Sequence, residues 1–130
     1  MKLNHDIVRE VLLVVEEHLD SNSRFDAHRL AEQIESNTPE FKNDEIMYAI
    51  AKLTEVGYLN AQPITVFYNG KITPSFIIRS ITWSGHEFLD SIRDTKIWAE
   101  TKSTASKVGE FSLSILGQIA TKIAMNKLGL

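Results

Sequence analysis

The chain has no cysteine among its 130 residues, which excludes a disulfide framework, a thiolate zinc site and a cysteine nucleophile. Its four histidines, His5, His18, His28 and His86, are scattered, and no two have the spacing of a helical metal pair such as HExxH. Long apolar runs are missing too. Residues 56–70 are uncharged but broken by Asn60, Gln62 and Pro63, and residues 111–121 by Ser112, Ser114 and Gln118. Neither supplies the about 20 apolar residues that a spanning helix needs. The first helix pattern carries Asp6, Arg9, Glu10, Glu16 and Glu17 and so lacks the uninterrupted apolar core of a signal peptide. The expectation is a cytoplasmic protein with one domain and an appendage, because 130 residues, 43% of them hydrophobic, suffice for one core.

Positive charge is scarce where a reader of nucleic acid would need it. The net charge is −3, but residues 1–60 hold six basic against twelve acidic groups, and residues 61–130 hold eight against five. A polyanion partner calls for a continuous basic face, and the N-terminal half does not offer the composition for one.

What is present is a clear change of period. Over residues 6–19 the apolar side chains Ile7, Val8, Val11, Leu12, Val14, Val15 and Leu19 form one helical stripe opposite Arg9, Glu10, Glu16, Glu17 and His18, with Asn4 or Asp6 as cap. Residues 20–23 read as a polar break. Asp26 is placed to cap a short helix over 27–36. Pro39 closes that helix, because the residue before proline is pushed out of the helical region. A third helix follows, from Asn43 or Asp44 to Val56, with Ile46, Ala49, Ile50, Leu53 and Val56 inward and Gly57 as its C-terminal turn.

Past Gly57 the pattern becomes short β-prone runs at residues 58–61, 64–68, 71–73 and 76–82. Asn69-Gly70 predicts a two-residue hairpin turn, whose central positions both need positive φ. Pro63 and Pro74 are expected to confine regular pairing to edges or strand ends. The order of three helices, a strand, a hairpin and another helix, with LTEVGYL leading into the hairpin, resembles the winged helix-turn-helix superfamily. That resemblance implies that the third helix is a recognition helix and the hairpin a wing.

The stretch ITWSGHEFLDSIRDTKIW, residues 81–98, holds both tryptophans. Together with the tail IATKIAMNKLGL it resembles an uncharacterised family of small bacterial and phage proteins, a domain of unknown function with an ITWxGHxFLDxIRDxxxW signature. The resemblance implies a phage or prophage context and lends no activity. Read from its residues, the stretch is a structural joint. Thr82 or Ser84 caps a helix, Ser84 with Glu87 fits a capping box, and Gly85 permits close approach to the sheet. Phe88, Leu89 and Ile92 form its buried face, with Trp83 and Ile97 or Trp98 closing the ends.

The same stretch also holds groups capable of chemistry. His86 and Asp90, four apart on a helix, could orient an imidazole for proton transfer or metal binding, but no nucleophile or third ligand accompanies them. A local hydrogen bond is the expectation, as is a local ion pair of Arg93 with Asp90 or Asp94. Neither an enzyme, a metal site, a cofactor nor a small-molecule substrate is expected.

Two surfaces remain. If the third helix entered a major groove, Asn43, Tyr48 and Lys52 would read bases or touch phosphate, with Lys71 at the wing tip and Arg79 as further contacts, but Asp44, Glu45 and Glu55 would face the same polyanion. The wing is unusually apolar, with Ile64, Val66, Phe67, Tyr68, Ile72 and Phe76, and its exposed part would suit a protein partner. Near the C-terminus, Ser112 caps a last helix whose Leu116, Ile119, Ala120, Ile123 and Ala124 share one face. That face folds back on the domain or pairs with its twin in a dimer; the less favoured reading is a lysine-flanked helix at a membrane or in a partner groove.

The sequence thus predicts an α+β chain: a winged helix-turn-helix domain over 1–94 and a helical C-terminal extension over 95–130. The expected function is that of a non-enzymatic binding module acting through protein contacts or self-association in a phage-associated or bacterial regulatory setting. The alternative is a DNA-binding transcriptional regulator using the third helix and wing.

Overall fold

The computed structural model describes residues 1–19, 25–109 and 112–130. These form an α+β arrangement of six helices and one three-stranded antiparallel sheet: α1 (His5–His18), β1 (Phe25–Asp26), α2 (Ala27–Asn37), α3 (Asn43–Glu55), β2 (Leu59–Tyr68), β3 (Lys71–Ile81), α4 (Trp83–Ile92), α5 (Thr95–Ser106) and α6 (Leu113–Lys127). The chain divides into two compact units, Met1–His86 and Glu87–Leu130. The polar break expected at residues 20–23 lies outside the described residues.

In the first unit, each helix starts where a side chain satisfies its orphan N–H groups. Asn4 Oδ1 accepts from Asp6 and Ile7 at 2.9 and 3.2 Å, and Asp26 Oδ1 accepts from His28 at 2.8 Å. Lys42, which precedes α3, cannot cap; the Asn43 N–H instead donates to the Glu35 carboxylate of α2 at 2.7 Å. That bond ties the two helices together at the entry to the third. Gly57, at φ +85°, ends α3 in the left-handed turn that glycine adopts freely. The core is built from most of the predicted stripes; Val56, expected inward, is instead the residue after the last turn of α3 and is 52% exposed, and Val14 is half-buried. Val11, Leu12, Leu30, Ile50 and Leu53 are fully buried, each worth about 1.5–3 kcal/mol against exposure.

The sheet order is β1-β3-β2, so β3 is central and β2 an edge. Asn69 at φ +50° and Gly70 at φ +78° make the turn that the Asn-Gly pair predicts. The strands do not stop at the prolines, contrary to the expectation of short runs. Pairing is continuous from Tyr68↔Lys71 to Gln62↔Ile77, through Thr65↔Pro74 and Pro63↔Phe76. The reason is register. A two-residue turn makes Tyr68↔Lys71 a hydrogen-bonded pair, and pairs alternate from there. Pro74 and Pro63 therefore both fall at non-hydrogen-bonded pairs, where the missing N–H would have pointed away from the partner strand. On the β2 edge, Pro63 removes a donor that another chain could have used.

Between Asn60 and Ala61 the register shifts, leaving Arg79 as the extra residue of a bulge. Beyond it β3 ends at the closest approach in the unit. A Cβ on Gly85 would fall on the Tyr58 carbonyl oxygen and lie 2.7 Å from Ile81 Cγ2, so only glycine lets the first turn of α4 sit there, as the sequence predicts. The cap is Thr82, whose Oγ1 accepts from Gly85 N at 3.1 Å; the Ser84–Glu87 capping box is not what starts the helix. Trp83, expected to close a buried face, is 80% exposed. It occupies the first position of α4, whereas Phe88, Leu89 and Ile92 further along the helix are buried.

In the second unit, Asp94 caps α5 through Ile97 N at 2.9 Å and Ser112 caps α6 through Ile115 N at 3.2 Å. The two helices run antiparallel: Lys127 near the end of α6 reaches Glu100 of α5 at 3.2 Å. Trp98, Thr101, Ala105, Leu116 and Ala120 are buried. Thr101 donates its hydroxyl to the Ile97 carbonyl at 2.6 Å, so its burial leaves no unmet donor. No helix among the described residues is long and apolar enough to cross a membrane.

Candidate functional site

The β2–β3 hairpin carries the most anomalous surface of the first unit. Side chains alternate between the faces of a strand, and the pairs Leu59↔Ile81, Ala61↔Ile78, Pro63↔Phe76, Thr65↔Pro74 and Phe67↔Ile72 share one face. At the base this face enters the core, with Leu59, Ile78 and Ile81 buried. Toward the tip it becomes solvent-facing: Pro63, Thr65, Phe67, Ile72 and Pro74 are exposed and Phe76 half-buried. Phe67 and Ile72 reach 77% and 78% exposure. Thr65 is the lone polar side chain in this exposed stretch.

The opposite face behaves in the ordinary way. At its base it is open to solvent and polar, with Asn60, Gln62 and Ser80. Near the tip α2 covers it. Tyr68 stacks on His28, ring centroids 4.3 Å apart and planes 14° from parallel, and donates its hydroxyl to Glu32 Oε1 at 2.7 Å. This hydrogen bond to a carboxylate raises the Tyr68 pKa above its usual value, with burial and the charge of Glu32 adding to it. Ser75 is buried and donates to Asp26 Oδ1 at 3.3 Å, and His28 Nε2 lies 3.3 Å from the Pro74 carbonyl. For Nε2 to donate to that carbonyl it must carry a proton, and Nδ1 is buried without a hydrogen-bond partner. The sequence treated His28 as one scattered histidine. Its contact is 46 residues distant, and no local pattern marks it.

The other predicted residues lie on α3, on the hairpin, on α4 and on α6. On α3, Tyr48 and Lys52 come together: Lys52 Nζ sits 5.5 Å from the Tyr48 ring centroid and 2.9 Å from Glu55 Oε2. The hydrogen bond to Glu55, then the charges of Glu55 and Tyr48, raise the Lys52 pKa. Asp44 and Glu45 occupy the first turn of the same helix, where they suit its dipole. Asn43 is half-buried at the Glu35 contact. Lys71 is exposed at the hairpin tip, and Arg79, in the bulge, donates to Gln62 Oε1 at 2.6 Å. Of the five, Tyr48 and Lys52 are in contact with each other.

His86 faces a different carboxylate from the Asp90 named for it. Its Nδ1 lies 4.0 Å from Glu16 Oε2 of α1, while Asp90 is bound by Arg93 at 2.7 Å. Val15, Glu16, Leu19, Arg79, Ser80, Ile81 and His86 line an open cleft of about 250 Å³. Its polar groups are one carboxylate, one imidazole, one guanidinium and one hydroxyl, with no nucleophile held by a base. Among the described residues no three His, Asp or Glu side chains are gathered as a metal site. On α6, Leu116 and Ala120 are fully buried, and Ile119, Ile123 and Ala124 are half-buried. The large apolar side chains exposed here are Ile115 and Met125 of α6 and, after its end, Leu128 and Leu130.

Comparison with known proteins adds kinship. An uncharacterised protein of Haemophilus influenzae is 29% identical over 124 residues, 95% of each chain. No solved structure matches. The family model described as "Hypothetical protein (DUF2513)" matches residues 2–111, and the chain therefore belongs to that family.

Proposed function

We propose that the chain is a non-enzymatic binding module of winged-helix type, with α1, α2 and α3 as its helical layer and the β2–β3 hairpin as its wing. It works through protein contacts made by the outer face of the wing. The observation that carries this reading is the Phe67–Ile72 pair, two large apolar side chains directly opposite each other and more than three-quarters exposed. Exposed apolar surface of this kind, contiguous with Pro63, Pro74 and Phe76, costs solubility unless a partner covers it. Antiparallel ribbons ordinarily place polar side chains on a solvent face, and this ribbon does so at its base and not at its tip.

The competing reading is a DNA-binding regulator. Against it stands α3, whose Lys52 is engaged by Glu55 and whose first turn carries Asp44 and Glu45. A groove-entering helix so charged repels phosphate. The two readings separate on heparin and on mixed-sequence duplex at low salt: the wing-docking reading predicts no retention and no binding. Duplex binding that weakens as salt rises would replace it with the DNA reading, because phosphate contacts release counterions.

A further inference from the structure

We infer that the occupant of the wing's outer face is a second copy of this chain, the two hairpins packed face to face about a two-fold axis near Thr65. The inference rests on the proposed docking role of that face and names its partner. Three features support it.

The first is charge. Residues 1–60, which build the helical layer, hold twelve acidic against six basic groups, whereas Lys71 and Arg79 are the only charged side chains in residues 56–85. Two copies approaching by their helices meet like charge. Two copies approaching by their hairpin faces bury none, because Pro63, Thr65, Phe67, Ile72, Pro74 and Phe76 are all neutral. The second is placement of the basic residues. In an antiparallel crossing, the tip of each hairpin overlies the base of the other, which brings Lys71 of one copy toward the acidic helical layer of its twin. That arrangement is complementary and repeats itself under two-fold symmetry, as an isologous interface must.

The third is shape. The non-hydrogen-bonded register holds Phe67 and Ile72 close together as one apolar ridge. Between that ridge and the Pro63–Phe76 pair lies the small Thr65–Pro74 pair. The two apolar ends are about 13 Å apart along the strand, so the ridge of one copy seats on the Pro63–Phe76 end of the other. Side-by-side pairing of the β2 edges would leave the apolar face open and would meet the donor-less Pro63. Six side chains per copy are far fewer than the about 20–30 residues a side of a standard interface, so the association is weak and rises with concentration.

The absence of cysteine makes the test direct. Thr65→Cys places a single thiol on the axis, and Asn60→Cys places one on the exposed opposite face at the hairpin base. Under mild oxidation at high protein concentration, Thr65→Cys is expected to form a disulfide-linked dimer well before Asn60→Cys does. Sedimentation of the parent chain is expected to show a mass that rises with concentration, and the double variant Phe67→Ser, Ile72→Thr to remain a monomer with an unchanged circular dichroism spectrum. A parent chain that stays monomeric overturns self-pairing, as does a dimer that persists in the double variant or equal cross-linking of the two cysteines. If the parent is monomeric and a photo-crosslinker at position 67 captures a different protein, self-pairing fails while the binding-module reading stands. If the chain is monomeric and nothing is captured, both fail.

Discussion

The Tyr68 hydroxyl donates to the Glu32 carboxylate across 2.7 Å while the Tyr68 ring lies on the His28 imidazole. This pair fastens the tip of the hairpin to α2 and so decides which face of the ribbon is left outside. Its titration carries a signature. The folded Tyr68 pKa is raised above 10.0, first by the hydrogen bond to Glu32, so the neutral phenol is the form that the fold favours. The contribution is complete below the ordinary tyrosine value and is lost as pH rises through the folded one. Spectrophotometric titration at alkaline pH is expected to show a late component that Tyr68→Phe removes; a curve unchanged in shape by that substitution would contradict the latch.

Gly85 gives a sharper test of the packing. The atom that a Cβ would meet first is a backbone carbonyl oxygen, that of Tyr58, which is already accepting from Thr82 N at 3.1 Å. A flexible side chain could move aside; this group cannot. Gly85→Ala should destabilise the protein by about 3 kcal/mol, the upper end of overpacking costs, read as a lowered urea midpoint. An alanine variant as stable as the parent would mean that α4 does not begin where described.

The two tryptophans differ in the opposite sense to their setting in one sequence stretch. Trp83 is 80% exposed and Trp98 5%. Acrylamide quenching of the parent should therefore resolve an accessible and a protected population. Trp83→Phe should remove the accessible one, and Trp98→Phe the protected one. Loss of the protected population on substituting Trp83 would restore the buried role that the sequence assigns it.

His5 supplies an acid-side prediction. Burial lowers its pKa below 6.5, partly offset by the neighbouring Asp6 charge. The fold favours the neutral ring, so this contribution is present above the ordinary histidine value and lost as pH falls through the lower folded value. His5→Gln should flatten the decline in thermal stability on the acid side of pH 6.5 and leave the neutral range nearly unchanged. A decline just as steep in the variant would assign it to other groups.

Helices and caps were legible because their determinants are local. Asn4, Asp26, Asp94 and Ser112 each act within three residues of themselves, and the apolar stripes of α1, α2 and α3 recur at helical period. The Asn69-Gly70 turn and the close approach at Gly85 were legible for the same reason. The long strands were hidden by Pro63 and Pro74, whose tolerance depends on counting register from the turn. Trp83 was misread because its burial depends on where the cap falls, at Thr82 and not Ser84. The apolar composition of the wing was visible in the sequence. Which half of it faces water was not, because that follows from Tyr68, Pro74 and Ser75 meeting Glu32, His28 and Asp26 across 36 to 49 residues of chain. The Glu16–His86 pair likewise joins α1 to α4 with no local signal.

The outer face of the hairpin is the centre of this account, and position 67 reports on it most directly. A photo-crosslinking phenylalanine at position 67, irradiated in cells expressing the chain, is expected to give a discrete protein adduct, while the same probe at position 60, on the exposed opposite face, gives none. Absence of an adduct at 67, or equal labelling from both positions, would contradict the assignment of the Phe67–Ile72 face as the binding surface.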